Sequence, residues 1–258
     1  MTMSDFLLPF YTLWQREVIR FFRQPSRVVS AILQPLLFWI FVGSGLGASF
    51  RPKTLSSEIA YLEFFYPGIL LMIILFAAIF SNFSVIEDRE KGFFQGVLVT
   101  PAPRFSLVMG KVVGGGTIAL IQASLFLILA PFAGLSLSVF KLLELILVLF
   151  LIGIALSGFG FSIAWRMGST QGFHAVIMLI LFPLWFLSGA FFPMEGLPFF
   201  LEWLMKLNPL TYALSAIRTI FYGENVFLLP SFEFSIGVTA LFGFVALIVS
   251  WHGVVEKR

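Results

Sequence analysis

The stretch FFYPGILLMIILFAAIFSNFSVIEDREKGFFQGVLVTPAPRFSLVMGK, residues 64–111, changes character twice. Phe64 to Ile86 carries no charge, and about 20 such residues in a helix cross the ~30 Å of bilayer hydrocarbon. Five charges then arrive together, Glu87, Asp88, Arg89, Glu90 and Lys91. After Gly92, the residues Phe93, Phe94, Val97 and Leu98 recur at helical spacing, which predicts a short helix with an apolar stripe. Carboxylates ahead of that helix suit the positive end of its dipole. Pro101 and Pro103 stop it, and a second apolar run opens at Phe105. A span, a charged elbow and another span describe a chain that crosses a membrane repeatedly.

Working outward, six stretches reach spanning length: about Val28 to Ala48, Phe64 to Ile86, Phe105 to Ala130, Leu142 to Ala164, Phe173 to Phe192 and Phe234 to Trp251. None has a charge near its middle, and Lys111 lies near an end, from which it can snorkel. Composition agrees. The 258 residues are 59% hydrophobic and 11% charged, against about 25% charged in a soluble domain, and mean hydropathy is +1.01. So few charges argue against a soluble enzyme, and so many apolar residues exclude a disordered chain. The expected fold is all-α and integral to the membrane. It is a single domain over residues 1–258, with six transmembrane helices, an N-terminal interfacial helix and an outer re-entrant hairpin between helices five and six.

Three segments outside the spans carry the functional information. In residues 1–27, Arg16, Arg20 and Arg23 share one helix face opposite Trp14, Val18, Phe21 and Phe22. This pattern predicts a helix lying in the interface with its basic face toward anionic lipid headgroups. The second segment is the loop at 87–104. The third, 193–225, holds two short helical patterns punctuated by Pro193, Pro198, Asn208 and Pro209 and followed by Arg218. Each is too short to cross, and bent backbone at depth needs protein or water around it. The segments assigned inside carry Arg16, Arg20, Arg23, Arg27, Arg89, Lys91, Arg104, Lys111, Arg166, Lys257 and Arg258, 11 in all. Those assigned outside carry Arg51, Lys53, Lys141, Lys206 and Arg218, 5 in all. The bias places both termini and the 87–104 loop in the cytoplasm. Residues following the first apolar stretch do not form a signal-peptide cleavage site.

Familiar chemistry is missing from the pattern. His174 and His252 are too few ligands for a metal or haem site and read as polar anchors. With no Cys, there is no thiolate site or disulfide. Ser157-Gly158 and Ser188-Gly189 lack the frame of an intramembrane serine protease. Gly110-Lys111 is followed by Val112, and position 105 is Phe, so this is no phosphate-binding loop. Buried charges of the kind that couple ions to transport are absent from the apolar runs. Gly43 with Gly47, Gly110 with Gly114, and Gly153, Ser157, Gly158 and Gly160 are sites of close helix approach.

Two stretches carry a family resemblance. EDREKGFFQGVLVTPAPRFSLVMGKVV at 87–113 resembles the cytoplasmic loop of ABC-2 type transporter permeases, with its charged cluster, Gly, L-x-T-P turn and later Gly-Lys. LSGAFFPMEGLPFFLEWLMKLNPLTYALSAIR at 187–218 resembles that family's outer signature. The resemblance covers nearly the whole chain. It implies a cell-membrane exporter, of bacterial inner-membrane type, that moves drugs, glycans, lipid-linked glycans or other amphipathic compounds. Two permease copies pair with two separate cytoplasmic ABC ATPase subunits. ATP and Mg bind there, and this chain binds no cofactor and no nucleic acid. The helix after span two becomes a coupling helix on the ATPase, with Glu87, Asp88, Arg89, Glu90, Gly92, Phe93, Phe94, Val97, Leu98 and Pro101 at the contact. Pro193, Pro198, Asn208, Pro209 and Arg218 belong to the hairpin that helps close the outer side. The competing classes are a non-transporting membrane scaffold and a secondary carrier. The loop resemblance argues against the first and the uncharged spans against the second.

Overall fold

The computed structural model describes residues 3–49, 60–98, 100, 102–194, 196–223 and 230–256, without the side chains of residues 4, 26, 27, 30–32, 47–49 and 98. All its regular elements among these residues are helical. In chain order they are α1 (Met3–Phe22), α2 (Pro25–Ser49), α3 (Tyr61–Phe80), α4 (Phe83–Glu90), α5 (Phe93–Leu98) and α6 (Arg104–Leu127). There follow α7 (Val139–Ala164), α8 (Thr170–Trp185), α9 (Phe199–Leu207), α10 (Pro209–Tyr222) and α11 (Phe232–Glu256). A 3₁₀ turn links α6 to α7, and a π-turn, Phe186–Ala190, ends α8.

Among the described residues, five stretches are long and apolar enough to cross a membrane: 61–90, 104–127, 139–164, 170–190 and 232–256. The stretch expected as the first span falls on α2, whose described apolar part is the shorter Leu33–Leu46. Arg51, Lys53, Lys257, Arg258 and Pro101, and the side chains of Arg27 and Leu98, lie outside what is described.

Helix α3 is apolar on every side, and a helix of that kind belongs in the interior. Phe64 through Leu75 are all buried, and α2, α6, α7 and α10 surround them. Its Pro67 cannot donate to the carbonyl one turn back, and the Tyr222 hydroxyl of α10 donates to that Glu63 carbonyl at 2.9 Å. The other helices meet where side chains are small. Gly110 and Gly114 of α6 receive Leu13 and Glu17 of α1, and Gly116 of α6 faces Gly153 of α7. Along α11, Ser235, Thr239, Gly243, Ala246, Ser250 and Gly253 form the buried seam. Ser250 Oγ donates to the Gly158 carbonyl of α7 at 2.9 Å.

The C-terminal end of α8 shows how irregular backbone survives in an apolar setting. The π-turn breaks the helical ladder, with Gly189 at φ +91°. Side chains take up the released carbonyls. Asn208 Nδ2 donates to Leu184 O at 2.6 Å, Arg218 Nη2 to Gly189 O at 2.9 Å and Tyr61 Oη to Phe191 O at 3.0 Å. Asn208 also caps α10, accepting from Leu210 N at 3.0 Å. Freed backbone groups at depth need such partners. Of the residues expected to shape an outer hairpin, Asn208 and Arg218 therefore bind the end of α8.

A Cβ added at Gly243 would stand 2.9 Å from the Ala155 Cβ, whereas one at Gly237 on the same helix meets nothing within 4 Å. Gly243→Leu should overpack the seam and cost roughly 1–3 kcal/mol, lowering the thermal midpoint of the purified protein in detergent. Gly237→Leu should leave that midpoint unchanged, and equal effects of the two would refute the packing account.

Candidate functional site

The acidic cluster both ends one helix and precedes the next. Glu87, Asp88, Arg89 and Glu90 form the last turn of α4, and Gly92, at φ +73°, turns the chain into α5. The expected dipole role is thereby corrected, because carboxylates at a helix C-terminus face its negative end. Their partners lie elsewhere. Asp88, only 2% exposed, receives a bidentate pair from Arg16, Nη1 to Oδ2 and Nη2 to Oδ1, both at 2.7 Å. Arg20 bridges Glu87 and Asp88.

Lys111 of α6 completes the cluster. Its Nζ donates to Asp88 Oδ2 at 2.5 Å, Glu17 Oε1 at 2.6 Å and Ser84 Oγ at 3.1 Å, which uses all three protons. Lys111 is 3% exposed and Glu17 4%, so Lys111 does not snorkel. Arg16, Arg20 and Lys111 balance Glu17, Glu87 and Asp88, and three segments far apart in sequence become one charge-neutral unit. The Asp88 hydrogen bond raises the Arg16 pKa above its ordinary value, against the opposing effect of burial. The α1 face expected to meet headgroups is corrected too: Arg16 and Arg20 turn inward, while Arg23 and Phe22 are exposed.

Helix α5 rests on this unit. The Arg16 guanidinium lies 4.0 Å from the Phe93 ring centroid and Lys111 Nζ 5.6 Å from that of Phe94. Phe94, 4% exposed, meets the Trp165 ring of α7 edge-on at 5.2 Å. Arg89 donates to the carbonyls of Trp165 and Met167 at 2.5 and 3.1 Å. The Phe94 side of the apolar stripe therefore packs inward, and the open side of the elbow presents Glu90, Lys91, Gln95 and Gly96. Sequence reasoning passed over Glu17 and Trp165. A lone carboxylate at the i+1 position to Arg16 was the available signal for Glu17, and nothing marked Trp165.

A cavity adjoins the unit. It has a volume of about 560 Å³ between α1, α2, α3, α6 and α8. Glu17 and Arg20 reach its wall. His174, expected as a polar anchor, also lines it, with its ring stacked 5.6 Å from Phe80 and 6.2 Å from Phe83.

Removing one member of a buried ion pair costs roughly 3–5 kcal/mol, because the partner is left charged and dry. Lys111→Met should therefore lower thermal stability sharply, and the double variant Lys111→Met/Glu17→Gln should recover part of the loss. Thermal melts of wild type, both single variants and the double variant read the coupling energy. Additive losses would mean that Glu17 and Lys111 do not act together.

Comparison with known proteins follows the same geometry. The transport permease ycf38 of Cyanophora paradoxa is 33% identical over 241 residues, covering 90% of this chain and 82% of that protein. The inner membrane transport permease YadH of Escherichia coli K12 is 26% identical over 256 residues, 96% of this chain and 94% of its own. The daunorubicin resistance ABC transporter permease protein DrrB1 of Streptomyces coeruleorubidus is 24% identical over 222 residues, 83% of this chain and 75% of its own. The model of the ABC-2 type transporter family matches residues 9–222, from within α1 to the end of α10 and so across the whole charge cluster. This multi-pass membrane protein is a transport permease and belongs to the ABC-2 type transporter family.

Proposed function

We propose that the chain is the membrane subunit of an ATP-driven exporter and works as a pair of permeases on a separate pair of cytoplasmic ABC ATPases. The observation that carries this reading is the seating of α5 on the buried charge cluster. A push on the exposed side of α5 reaches α1 through Arg16 and Phe93, α6 through Lys111 and Phe94, and α7 through Trp165. Such a junction suits a coupling helix. ATP hydrolysis on the partner supplies the free-energy difference between inward- and outward-facing states, without which no net switch occurs. The contact with the ATPase falls to the exposed residues Glu90, Lys91, Gln95 and Gly96. Glu87, Asp88, Arg89, Phe93 and Phe94 hold the helix from behind.

The membrane arrangement belongs to the same proposal. Helix α2 is the sixth span, α1 lies in the inner interface, and α9 and α10 form an outer re-entrant hairpin. Both ends are cytoplasmic in a cell membrane. The lysine and arginine bias supports this orientation, and the inner-membrane name of YadH supports the location. The cargo is an amphipathic or hydrophobic compound, a class in keeping with the drug-resistance name of DrrB1.

The charge reversal Glu90→Lys combined with Gln95→Lys tests the coupling surface, since both residues are exposed. Membrane insertion should be normal and the thermal midpoint within about 0.5 kcal/mol of wild type. Co-purification of the ATPase and transport per inserted molecule should both fall at least tenfold. Undiminished association and transport would remove α5 from the coupling role. Topology has its own check, because the chain has no native Cys. A thiol at Phe132 or Phe199 should react with an impermeant reagent from outside intact cells and one at Gln95 should not; labelling at Gln95 would invert the arrangement.

A further inference from the structure

Aromatic and thioether side chains, among them Met72, Phe76, Phe80, Phe83 and Met178, are prominent in the cavity wall. Its size falls within the range of about 300–1,000 Å³ that holds small molecules. One wall residue does not fit an apolar space. Gln122 of α6 is 8% exposed and lines the cavity, yet its amide has no hydrogen-bond partner among the described residues. Two other polar side chains nearby, Thr117 and Asn82, are satisfied, whereas the buried Ser157 Oγ is not. Thr117, one and a half turns earlier on α6, donates to Val113 O at 2.8 Å and accepts from Trp14 Nε1 at 3.0 Å. Asn82 donates to Ala78 O at 3.0 Å and Ser157 O at 3.1 Å. A buried amide left unpaired is unfavourable. Gln34 of α2 carries a second amide on the same wall.

The charges on the wall narrow the class of ligand. Glu17 and Arg20 are opposite in sign, and each is engaged inside the cluster, with Lys111 and with Glu87 and Asp88. An ionised ligand therefore finds no free counter-charge in either of them. An acyl chain would leave the Gln122 amide as it is. A ring system fits the aromatic and methionine lining through stacking and sulfur–ring contacts.

We propose that this cavity within a single permease copy binds an uncharged, ring-bearing amphipath, and that the Gln122 amide hydrogen-bonds its polar group. The proposal rests on the transport reading, for which it names the cargo class and a residue that sets specificity.

Nile red, an uncharged fused-ring dye with a carbonyl acceptor, is the probe. It is titrated against the full chain in phosphatidylcholine nanodiscs, with empty discs measuring simple partitioning. Wild type should show a saturable component. Ala77→Phe and Met178→Trp, which fill the cavity from α3 and α8, should each abolish it in protein that elutes as a single species. Gln122→Leu should weaken it about tenfold. Rhodamine 6G, a cationic ring amphipath, should bind more weakly than Nile red, and hexadecane should compete poorly. Absence of saturable binding, wild-type affinity in both filled variants, or wild-type affinity in Gln122→Leu would overturn the proposal. So would tighter binding of rhodamine 6G or full displacement by hexadecane. ATP hydrolysis by the complex separates the two readings. If the partner ATPase associates and responds to cargo while Nile red finds no site, the cavity assignment alone falls. If Nile red binds but no ATPase associates, the ATP-driven reading falls and the cavity stands.

Discussion

A carboxylate that is 2% exposed cannot remain charged without partners, and Asp88 sets this requirement for the half of the molecule where α1, α4 and α6 meet. Desolvating a charge costs several kcal/mol, which only close counter-charges with good geometry offset. Arg16 meets it with two parallel hydrogen bonds, a guanidinium geometry that Lys does not provide. Lys111 meets it with a point charge that also reaches Glu17. To satisfy one group, α1, α4 and α6 must hold fixed positions. The glycines of α6 permit the approach: with a side chain at Gly110 or Gly114, α1 would stand too far off for its arginines to reach α4.

The same rule operates at the opposite end, after α8, with backbone groups. The π-turn after α8 releases carbonyls that water would satisfy in a soluble protein. Here Asn208, Arg218 and Tyr61 satisfy them. The Arg218 guanidinium also lies 4.3 Å from the Phe64 ring centroid, so the arginine joins α10 both to the end of α8 and to the central helix. Side chains on α3 and α10 thus determine where α8 stops. Aromatic residues complete the junction, with Trp185 donating to the Gly68 carbonyl at 2.9 Å and packing 4.9 Å from Phe191. Between these two cross-linked ends lies the cavity, bounded by helices whose relative positions the polar junctions fix.

The helices themselves were legible in the sequence. Apolar runs of spanning length, Pro101 and Pro103 after α5 and Pro209 at the start of α10 mark positions that any membrane context would read in the same way, because local hydrophobicity and proline geometry act along the chain. The elbow at 87–98 was also legible as a functional segment, from its charges and its stripe. The direction in which its residues point was not. Glu87 and Asp88 read as carboxylates ahead of the helix that follows Gly92, whereas they form the end of α4, which Gly92, at positive φ, joins to α5.

The sequence by itself determined that this chain is a helical membrane protein, where its helices run and to which family of permeases it belongs. These follow from composition, periodicity and short motifs, all local properties. Only the tertiary structure decided which charge meets which. Arg16 and Asp88 are 72 residues apart and Glu17 and Lys111 are 94 apart, and no spacing rule joins them. The tertiary structure likewise decided that Gln122 lines a cavity instead of facing lipid or a neighbouring helix. An ion pair or an unpaired amide is defined by what packing brings within about 3 Å, and here packing depends on small residues that let distant helices touch.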